Sequence, residues 1–342
     1  MSISKVLISG SGAGSSTRGT HRPLRDDTDL ASCTVRATKP TSLPDRKPTV
    51  PTNGTISAVI PTHGRDVLLA VALRSVLAQS LSPIEVFVVD DLGSAATRAL
   101  VDEVAGGASI PVRYLDGSGL DPKTAGASRN LGASRATADY LAFLDDDDYW
   151  HEDFLDSTRS LLESGSHDFV VGWTDFERDG RMAPGLTMPS GLGVRGGLSR
   201  SGLTGSNALV TASAFHSIGG FDDTLRVLND FDYLRRLLAA ELQYGVVDRA
   251  VVTQVSHDLG HLSTRSLPRA AVIRAYRDRN RAALSRGDRR HLSRLMHASA
   301  RGADATPIGR LVHGLAQAAH TSPSEWVGGV VRRLKTGSGM YV

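Results

Sequence analysis

The sequence predicts an α/β protein with a mostly parallel central sheet, helices on both sides of the sheet and a helical extension at the C-terminal end. From residue 56 onward, short apolar segments with strand character alternate with segments of helical period. Such alternation favours right-handed crossovers between parallel strands. Several of these strands run directly into polar residues, and ligands bind at the carboxyl ends of the strands in sheets of this kind.

The first half of the folded region predicts four strands joined by helices. "ISAVI" is a buried strand that Pro61 ends, and residues 66–80 carry apolar side chains at the spacing of one helical face. "IEVFVVDD" (residues 84–91) and "VRYLD" are the second and third strands, with a helix over residues 94–104 between them. A helix of small residues, 123–136, leads into the fourth strand, "DYLAFLD".

The second half predicts a less regular alternation. "FVVGW" is a strand, and a glycine-rich loop follows over about residues 184–205. "NALVTASAFHSIGG" predicts a strand, a short helix and a turn, and residues 229–241 form an amphipathic helix with acids in its first turn. "GVVDRAVVTQVSH" supplies one or two further strands, and basic helical segments occupy residues 267–335.

Composition divides the chain into three parts. Residues 1–55 are rich in Ser, Thr, Pro and Gly without an apolar period, which predicts a disordered tail. Residues 56–266 contain every predicted strand and form the folded domain, and residues 267–342 form a basic helical extension. The net charge is −12 over residues 58–264 and +11 over residues 265–342. Acidic groups can hold a metal, whereas a basic segment can meet phosphates, an acidic membrane surface or the acidic domain itself.

The composition also predicts the cellular compartment of the protein. The single cysteine, Cys33, excludes an internal disulfide framework, and no segment approaches the roughly 18 apolar residues of a membrane-spanning helix. The first residues lack the apolar core of a secretion signal. We therefore expect a cytoplasmic protein, with the basic C-terminal helices as a candidate peripheral contact at the inner membrane face.

The segment "YLAFLDDDDYW", residues 140–150, places four consecutive aspartates at the end of a buried strand. An isolated acidic run is most often a solvated turn, but two other strand exits here are also polar, at Thr62–Arg65 and at Asp90–Asp91. Adjacent carboxylates repel one another unless a cation is present. Mg²⁺ and Mn²⁺ prefer carboxylate oxygens and bridge to substrate phosphates. The pattern therefore predicts a site for a metal and a diphosphate.

Four segments in this order and spacing resemble the family 2 glycosyltransferases of the GT-A fold, from about Ile56 to Ser266: "AVIPTHGR", "IEVFVVDD", "GASRNLGASRATADYLAFLDDDD" and "GGFDDTLRVLNDFDYLRRL". The resemblance implies that residues 56–266 are a GT-A (Rossmann-like) domain. It also implies a nucleotide-sugar-dependent glycosyltransferase of the hexosyltransferase type that uses Mg²⁺ or Mn²⁺ and inverts the anomeric centre.

The same resemblance implies a role for individual residues. Asp230 corresponds to the catalytic base, although Asn229 stands where the family usually has Glu. Asp147 and Asp148 correspond to metal ligands, and His257 or His261 would complete the metal site; the fourfold repeat leaves the assignment within the run open by one residue. Residues 202–207 resemble a glycine-containing loop on the acceptor side. The residues implied in binding the nucleotide sugar are Pro61, Thr62, Arg65, Asp90, Asp91, Arg129, Asp145 and Asp146.

Several alternatives stay open at the level of sequence. UDP is the default nucleotide, and the acceptor could be a glycan, a lipid, a peptide or a small natural product. A sugar nucleotidyltransferase on a similar fold would need a glycine-rich phosphate loop after the first strand, where "PTHGRD" has one glycine. A non-catalytic sugar-nucleotide-binding module would tolerate Asp230→Asn. No nucleic-acid partner is expected, because the basic segment lacks interleaved aromatic residues.

Overall fold

The computed structural model of the chain describes residues 51–191, 201–256, 266–304 and 306–321, and within them one nine-stranded sheet carries helices on both faces. The strands are β1 Ile56–Thr62, β2 Glu85–Asp90, β3 Val112–Asp116, β4 Tyr140–Phe143, β5 Asp148–Trp150, β6 Phe169–Arg178, β7 Arg181–Pro184, β8 Ala208–Thr211 and β9 Tyr244–Ser256. The helices are α1 Asp66–Leu77, α2 Ala95–Ala105, α3 Ala125–Ala133, α4 Phe154–Ser164, α5 Ala212–Ser217, α6 Asn229–Ala239, α7 Leu267–Arg279, α8 Arg286–Ala303 and α9 Pro307–Ala319.

The first half of the sheet is parallel, as the sequence predicts. The strand order is β3-β2-β1-β4-β8-β6-β9-β5, with β7 paired to β6, and β1 lies parallel to both β2 and β4. The carboxyl ends of β1, β2 and β4 therefore meet at one edge of the sheet. This geometry brings the three polar strand exits of the sequence together.

The second half of the sheet is mixed rather than parallel. β8 runs antiparallel to both β4 and β6, and β9 runs parallel to β6 but antiparallel to β5. The strand β5 is only three residues long and begins at Asp148, directly after the turn that leaves β4. The predicted α/β class and its central sheet are confirmed, and the parallel arrangement covers the first four strands of the sheet order.

The two faces of the sheet bury two hydrophobic clusters. Successive side chains of a strand point to opposite faces, so Val59 of β1 joins one cluster and its neighbours Ala58 and Ile60 join the other. Helices α1, α2 and α4 cover the second cluster. Helices α3, α5, α6, α7 and α8 contribute to the first, which also lies behind the acidic edge of the sheet.

The helices α7 and α8 share the core of the sheet domain. Ile273 and Tyr276 of α7 and Leu292 of α8 are buried in the same cluster as α6. The Tyr276 hydroxyl donates a hydrogen bond of 2.9 Å to Asp232 of α6, which also accepts from Arg235. These basic helices therefore cover part of the acidic domain. Helix α9 packs on α8 and has no buried residue.

Two predictions fall on residues outside the description. The predicted disorder of the N-terminal tail concerns residues 1–55, of which only 51–55 are described. His257 and His261, the candidate metal ligands, also lie outside the described residues. Among the helices that the structure does describe, none combines the length and apolar character that a membrane span requires.

Candidate active site

The acidic run forms the turn between β4 and β5. The strand β4 ends at Phe143, the Leu144 amide still donates to Val59 of β1, and the Asp148 amide closes the turn by donating to the Asp145 carbonyl at 3.1 Å. Apolar residues at 140–144 bury the strand, whereas the four following carboxylates have different surroundings. The run is therefore not one solvated acidic patch.

Asp146 points inward and anchors the loop that follows β1. Its side chain is fully buried and accepts hydrogen bonds from the Thr62 hydroxyl at 2.7 Å and from the His63 amide at 3.3 Å. The guanidinium of Arg65 forms an ion pair with the same carboxylate. Burial raises the pKa of Asp146 to about 6, although Arg65 and Thr62 act in the opposite direction. In this structure Asp146 orders the β1 loop, and we treat it as a positioning residue rather than as a direct contact to the donor.

The other three aspartates form a cluster that suits a divalent cation. Each of Asp145, Asp147 and Asp148 offers a carboxylate oxygen, and these oxygens lie within 4.8 Å of one another. Burial, followed by the charges of Asp147 and Asp145, raises the pKa of Asp148 well above its ordinary value. Clustered carboxylates whose ionisation is disfavoured in this way are stabilised by a bound cation. The sequence predicted Asp147 and Asp148 as ligands, and the structure adds Asp145 to the group.

Arg65 lies beside this cluster and links two of the aspartates. In addition to Asp146, its Nη1 contacts Asp147 at 2.7 Å, and its side chain is 22% exposed. A single guanidinium therefore balances charge at the place where a divalent cation would bind. The sequence predicted Arg65 as a nucleotide contact, and the structure places it on the wall of the same cleft.

Arg129 of α3 binds Asp145, another aspartate of the cluster. Its Nη2 forms an ion pair with Asp145, and its guanidinium lies 5.0 Å from the centre of the Phe221 ring. The residue is 2% exposed, and its Nε and Nη1 are buried without a hydrogen-bond partner among the described residues. Buried donors of this kind are rare in proteins and indicate a ligand or an ordered water.

Gly205 is required where its loop passes over the Arg129–Asp145 pair. A Cβ atom added at Gly205 would lie 2.1 Å from Nη2 of Arg129 and 2.6 Å from Oδ2 of Asp145, both far inside contact distance. The absence of a side chain therefore allows the backbone to cover the ion pair.

The rest of that loop is fixed to the acidic run by two buried polar side chains. Ser206 donates to Asp148 at 2.5 Å and accepts from the Asp145 amide at 3.1 Å. Asn207 donates to the carbonyls of Gly172 and Gly202 and accepts from the backbone and hydroxyl of Thr204. The loop and the carboxylate cluster are consequently one rigid unit.

Asp90 and Asp91 end the strand β2 with different roles. Asp90 is fully buried and accepts from the amides of Leu92 and Ser94 and from the Tyr114 hydroxyl. Asp90 therefore stabilises the turn into α2. We do not include it in the nucleotide-sugar-binding site, where the sequence had predicted it. Asp91 faces the cleft and contacts Nδ1 of the exposed His63 at 2.6 Å.

Asp230 lies in the first turn of α6. Leu228, the residue before α6, has φ 66° and ψ 18°. A bulky residue rarely adopts this left-handed conformation, which often marks a functional site. The Phe231 amide donates to the Asp230 carboxylate at 2.8 Å. Burial raises the pKa of Asp230, while the Phe231 amide and Arg129 lower it. The charge of Asp145 adds to the rise, so Asp230 belongs electrostatically to the same site.

These side chains line one cleft of about 880 Å³ at the carboxyl edge of the sheet. Helices α7 and α8 contribute to its wall through Arg269, His291 and Leu295. Of the predicted site residues that the structure describes, all except Asp90 line this cleft: Pro61, Thr62, Arg65, Asp91, Arg129, Asp145, Asp146, Asp147, Asp148 and Asp230.

Comparison with known proteins agrees with this geometry. The family described as Glycosyl transferase family 2 matches residues 57–216, which include β1, the acidic run and the loop that Asn207 closes. Residues 57–216 are therefore a glycosyl transferase family 2 segment. The matched segment ends before α6, so Asp230 and the C-terminal helices lie outside it.

Curated relatives of the chain are distant in sequence. An uncharacterized glycosyltransferase of Haemophilus influenzae is 27% identical over 54% of this chain and 62% of its own length. A pre-mycofactocin glycosyltransferase of Mycobacterium tuberculosis is 30% identical over 62% of this chain and 44% of its own length. The chain thus spans less than two thirds of the length of these relatives.

A solved structure shares the fold. The crystal structure of S. aureus TarS 1-349 in complex with UDP-GlcNAc superposes with a TM-score of 0.52 at 17% identity. The superposition covers 78% of this chain and 71% of TarS 1-349. At this identity the similarity establishes the GT-A fold of the chain.

Sequence reasoning missed two groups of site residues. Ser206 fixes both Asp145 and Asp148, and its signal was available in the loop that resembles the acceptor side. The second group is cationic and comes from distant segments: Lys123, Arg226 and Arg269 line the cleft. No local motif marks them, because only the fold of the chain brings them to the acidic edge.

Proposed function

We propose that the protein is a metal-dependent, inverting glycosyltransferase that moves a sugar from a nucleotide-diphosphate sugar to an acceptor hydroxyl. The observation that carries the proposal is the single cleft in which three carboxylates, the buried Arg129 and Asp230 converge. An acid with raised pKa beside a carboxylate cluster in a cleft is typical of a catalytic site and favours an enzyme over a binding module.

The donor would occupy the side of the cleft formed by β1, β2 and the acidic run. Asp91 and the β1 loop with Thr62 are positioned for the nucleoside, since they lie at the ends of adjacent strands. Asp145, Asp147 and Asp148 would hold Mg²⁺ or Mn²⁺ against the diphosphate. A divalent ion bound there would neutralise negative charge on the departing nucleotide. UDP is the nucleotide we propose, and the complex of TarS with UDP-GlcNAc supports it.

Positive groups of the chain would share this task. Arg129 has two buried nitrogen donors to offer, and Lys123 lies exposed on the cleft wall. Such preorganised donors stabilise the charge that develops on the leaving group at little reorganisation cost. Arg129 also fixes Asp145, so it would act both on the ligand and on the carboxylate cluster.

Asp230 would act as the base on the acceptor side. Its raised pKa makes the carboxylate a better proton acceptor than an ordinary aspartate, and α6 presents it to the cleft. Removal of the acceptor proton while the hydroxyl attacks the anomeric carbon from the face opposite the nucleotide gives inversion. The acceptor would lie between the 202–207 loop and the α7–α8 wall, and its class stays open among glycan, lipid, peptide and small natural product.

The test is slow nucleotide release from a panel of nucleotide sugars, with Mn²⁺ or EDTA and without acceptor. We expect release from one donor, abolished by EDTA and by Asp147→Ala. Asp230→Asn should lower the rate about 10²–10⁴-fold with donor affinity unchanged. Asp102→Asn, an exposed acid on α2, is the matched control. Donor binding without release by the wild type would leave a binding module, and unchanged release by Asp230→Asn would refute the role of Asp230. The absence of any nucleotide binding would refute the proposal.

A further inference from the structure

The two sides of the cleft differ in charge. From residue 226 onward, the charged side chains among the described residues of the cleft wall are Arg226, Asp230 and Arg269. The side that we assign to the donor has more carboxylates than cations: Asp91 and Asp145–Asp148 against Arg65, Lys123 and Arg129. The acceptor side is therefore the basic side of the cleft, and we call its residues from 226 onward the basic wall.

Two polar side chains of the basic wall have no partner among the described residues. Arg226, in the loop before α6, is exposed and forms no hydrogen bond or ion pair with another described residue. Asn229, the first residue of α6, is 9% exposed, and its side-chain amide likewise forms no hydrogen bond there. Buried polar side chains are usually paired, so an unpaired amide on a cleft wall indicates a ligand or an ordered water.

His291 of α8 adds a hydrogen-bond donor to the basic wall. Its ring stacks on Phe231, the residue after Asp230, with 6.3 Å between the ring centres. Nη2 of Arg294 lies 3.0 Å from Nδ1 of His291. A guanidinium can only donate, so Nδ1 accepts and the neutral ring carries its hydrogen on Nε2.

Arg269 of α7 lies against the same face of α8. Its Nη1 donates to the Ser299 hydroxyl at 2.9 Å. Ser299 follows Leu295 by four residues and His291 by eight, so these three residues share one face of the helix. Because Arg269, His291 and Leu295 all line the cleft, the positive charge of Arg269 extends the basic wall along α8.

We propose that the acceptor carries a phosphoryl group, which Arg226, Asn229 and His291 bind beside Asp230. A phosphate offers several acceptor oxygens, these side chains offer donors, and a guanidinium can bind phosphate through two parallel hydrogen bonds. The charges of Arg226 and Arg269 would also offset the repulsion between the phosphate and Asp230. This inference rests on the proposed function, because it takes the diphosphate of the donor to lie at the acidic run and leaves the basic wall to the acceptor.

The test is a saturation-transfer NMR titration of the full-length protein, saturated with UDP and Mg²⁺ so that the donor side is filled. The probes share one carbon skeleton: glycerol 3-phosphate, glycerate and glycerol. We expect glycerol 3-phosphate to bind more tightly than glycerate, and glycerol not to bind. Arg226→Gln should weaken the binding of glycerol 3-phosphate at least about tenfold, because it removes a charge-assisted hydrogen bond. Arg135→Gln, an exposed arginine outside the cleft lining, is the matched control.

Substitutions of Asn229 separate binding from a structural role. Asn229→Ala should weaken the binding of glycerol 3-phosphate about three- to tenfold, the size of one neutral hydrogen bond. Asn229→Asp keeps the shape of the side chain and adds a negative charge, so it should abolish this binding. An acid is favourable in the first turn of a helix, so the variant should remain folded, which thermal unfolding checks. Binding by Asn229→Asp equal to that of the wild type would overturn the proposal.

The affinity for UDP, measured in the same variants, distinguishes the two sides of the cleft. Equal losses of UDP and glycerol 3-phosphate affinity in Arg226→Gln would place Arg226 on the nucleotide and overturn the proposal. Absence of wild-type binding to glycerol 3-phosphate, or equal binding of glycerate, would do the same. Lack of UDP binding would refute the proposed function, whereas loss of glycerol 3-phosphate binding in Arg226→Gln, measured without nucleotide, would still support the basic wall as a phosphate site.

A short-chain lysophosphatidic acid, used below its micelle concentration, distinguishes the source of the phosphate. Binding tighter than that of glycerol 3-phosphate would assign the phosphoryl group to a lipid. Equal binding would assign it to a soluble or polymeric acceptor. Both results support a phosphorylated acceptor.

Discussion

Arg65→Gln should increase the affinity of the protein for Mn²⁺. Arg65 contacts Asp147 at 2.7 Å and also pairs with Asp146, so its positive charge lies beside a carboxylate that a metal would also need. Arg65 and the cation therefore compete for the same carboxylate. Removing the guanidinium leaves Asp147 to the metal, whereas the buried Asp146 can take up a proton because its pKa is already about 6.

The size of the effect follows from the separation of the charges. Two unit charges about 4 Å apart interact by about 4 kcal/mol at an effective dielectric constant of about 20. The side chain of Arg65 is 22% exposed, and water replaces part of the lost interaction, so the net effect is smaller. We expect about 1.4 kcal/mol, which is a tenfold decrease in the dissociation constant for Mn²⁺.

The assay is titration of chelator-treated protein with Mn²⁺, followed by electron paramagnetic resonance of the free ion, so it does not depend on turnover. Arg65→Lys retains the charge and should bind Mn²⁺ like the wild type. Arg135→Gln removes an exposed arginine from the protein surface and controls for net charge. Unchanged or weaker Mn²⁺ binding by Arg65→Gln would refute the competition between Arg65 and the metal.

Substitutions at three further positions test individual features of the structure. Folding raises the pKa of Asp146 from 3.8 to about 6. The protonated side chain therefore contributes its full stability below about pH 4, and this contribution is lost as the pH rises through 6. The unfolding free energy of Asp146→Asn, measured relative to wild type in denaturant titrations, should rise by about 3 kcal/mol between pH 4 and pH 7. Asn207→Ala leaves two buried carbonyls and a buried amide without partners and should cost about 3 kcal/mol or more in the same assay. Leu228→Gly should be tolerated and Leu228→Ile should lower the melting temperature, because a β-branched side chain fits the left-handed backbone poorly; equal melting temperatures for the two variants would contradict this.

The first half of the fold could be predicted from sequence because its signals are local. The strands β1, β2 and β4 are continuous apolar segments between helices, and the parallel arrangement follows from the crossovers. The mixed second half could not be predicted in the same way. The strand β5 consists of Asp148, Tyr149 and Trp150, which the sequence presents as the end of an acidic run.

The roles within the acidic run depend on side-chain direction, which four identical letters do not reveal. Asp146 points into the protein toward Thr62. The carboxylate oxygens of Asp145, Asp147 and Asp148 instead lie within 4.8 Å of one another. Asp90 and Asp91 differ in the same manner, since one closes a turn and the other faces the cleft. A strand exit thus predicts where a site lies, but the backbone geometry of the turn that follows decides which residues belong to it.

The C-terminal helices illustrate a different limit. Their positive charge was visible in the sequence, and one of its predicted uses was to cover the acidic domain. The structure adds that α7 and α8 do so through Tyr276, which is buried against Asp232, and thereby become part of the cleft wall. Helix α9 contains one arginine and buries no residue of its own. The net charge of the whole extension could not separate the buried apolar residues of α7 and α8 from the exposed ones of α9; the position of the apolar residues around each helix does.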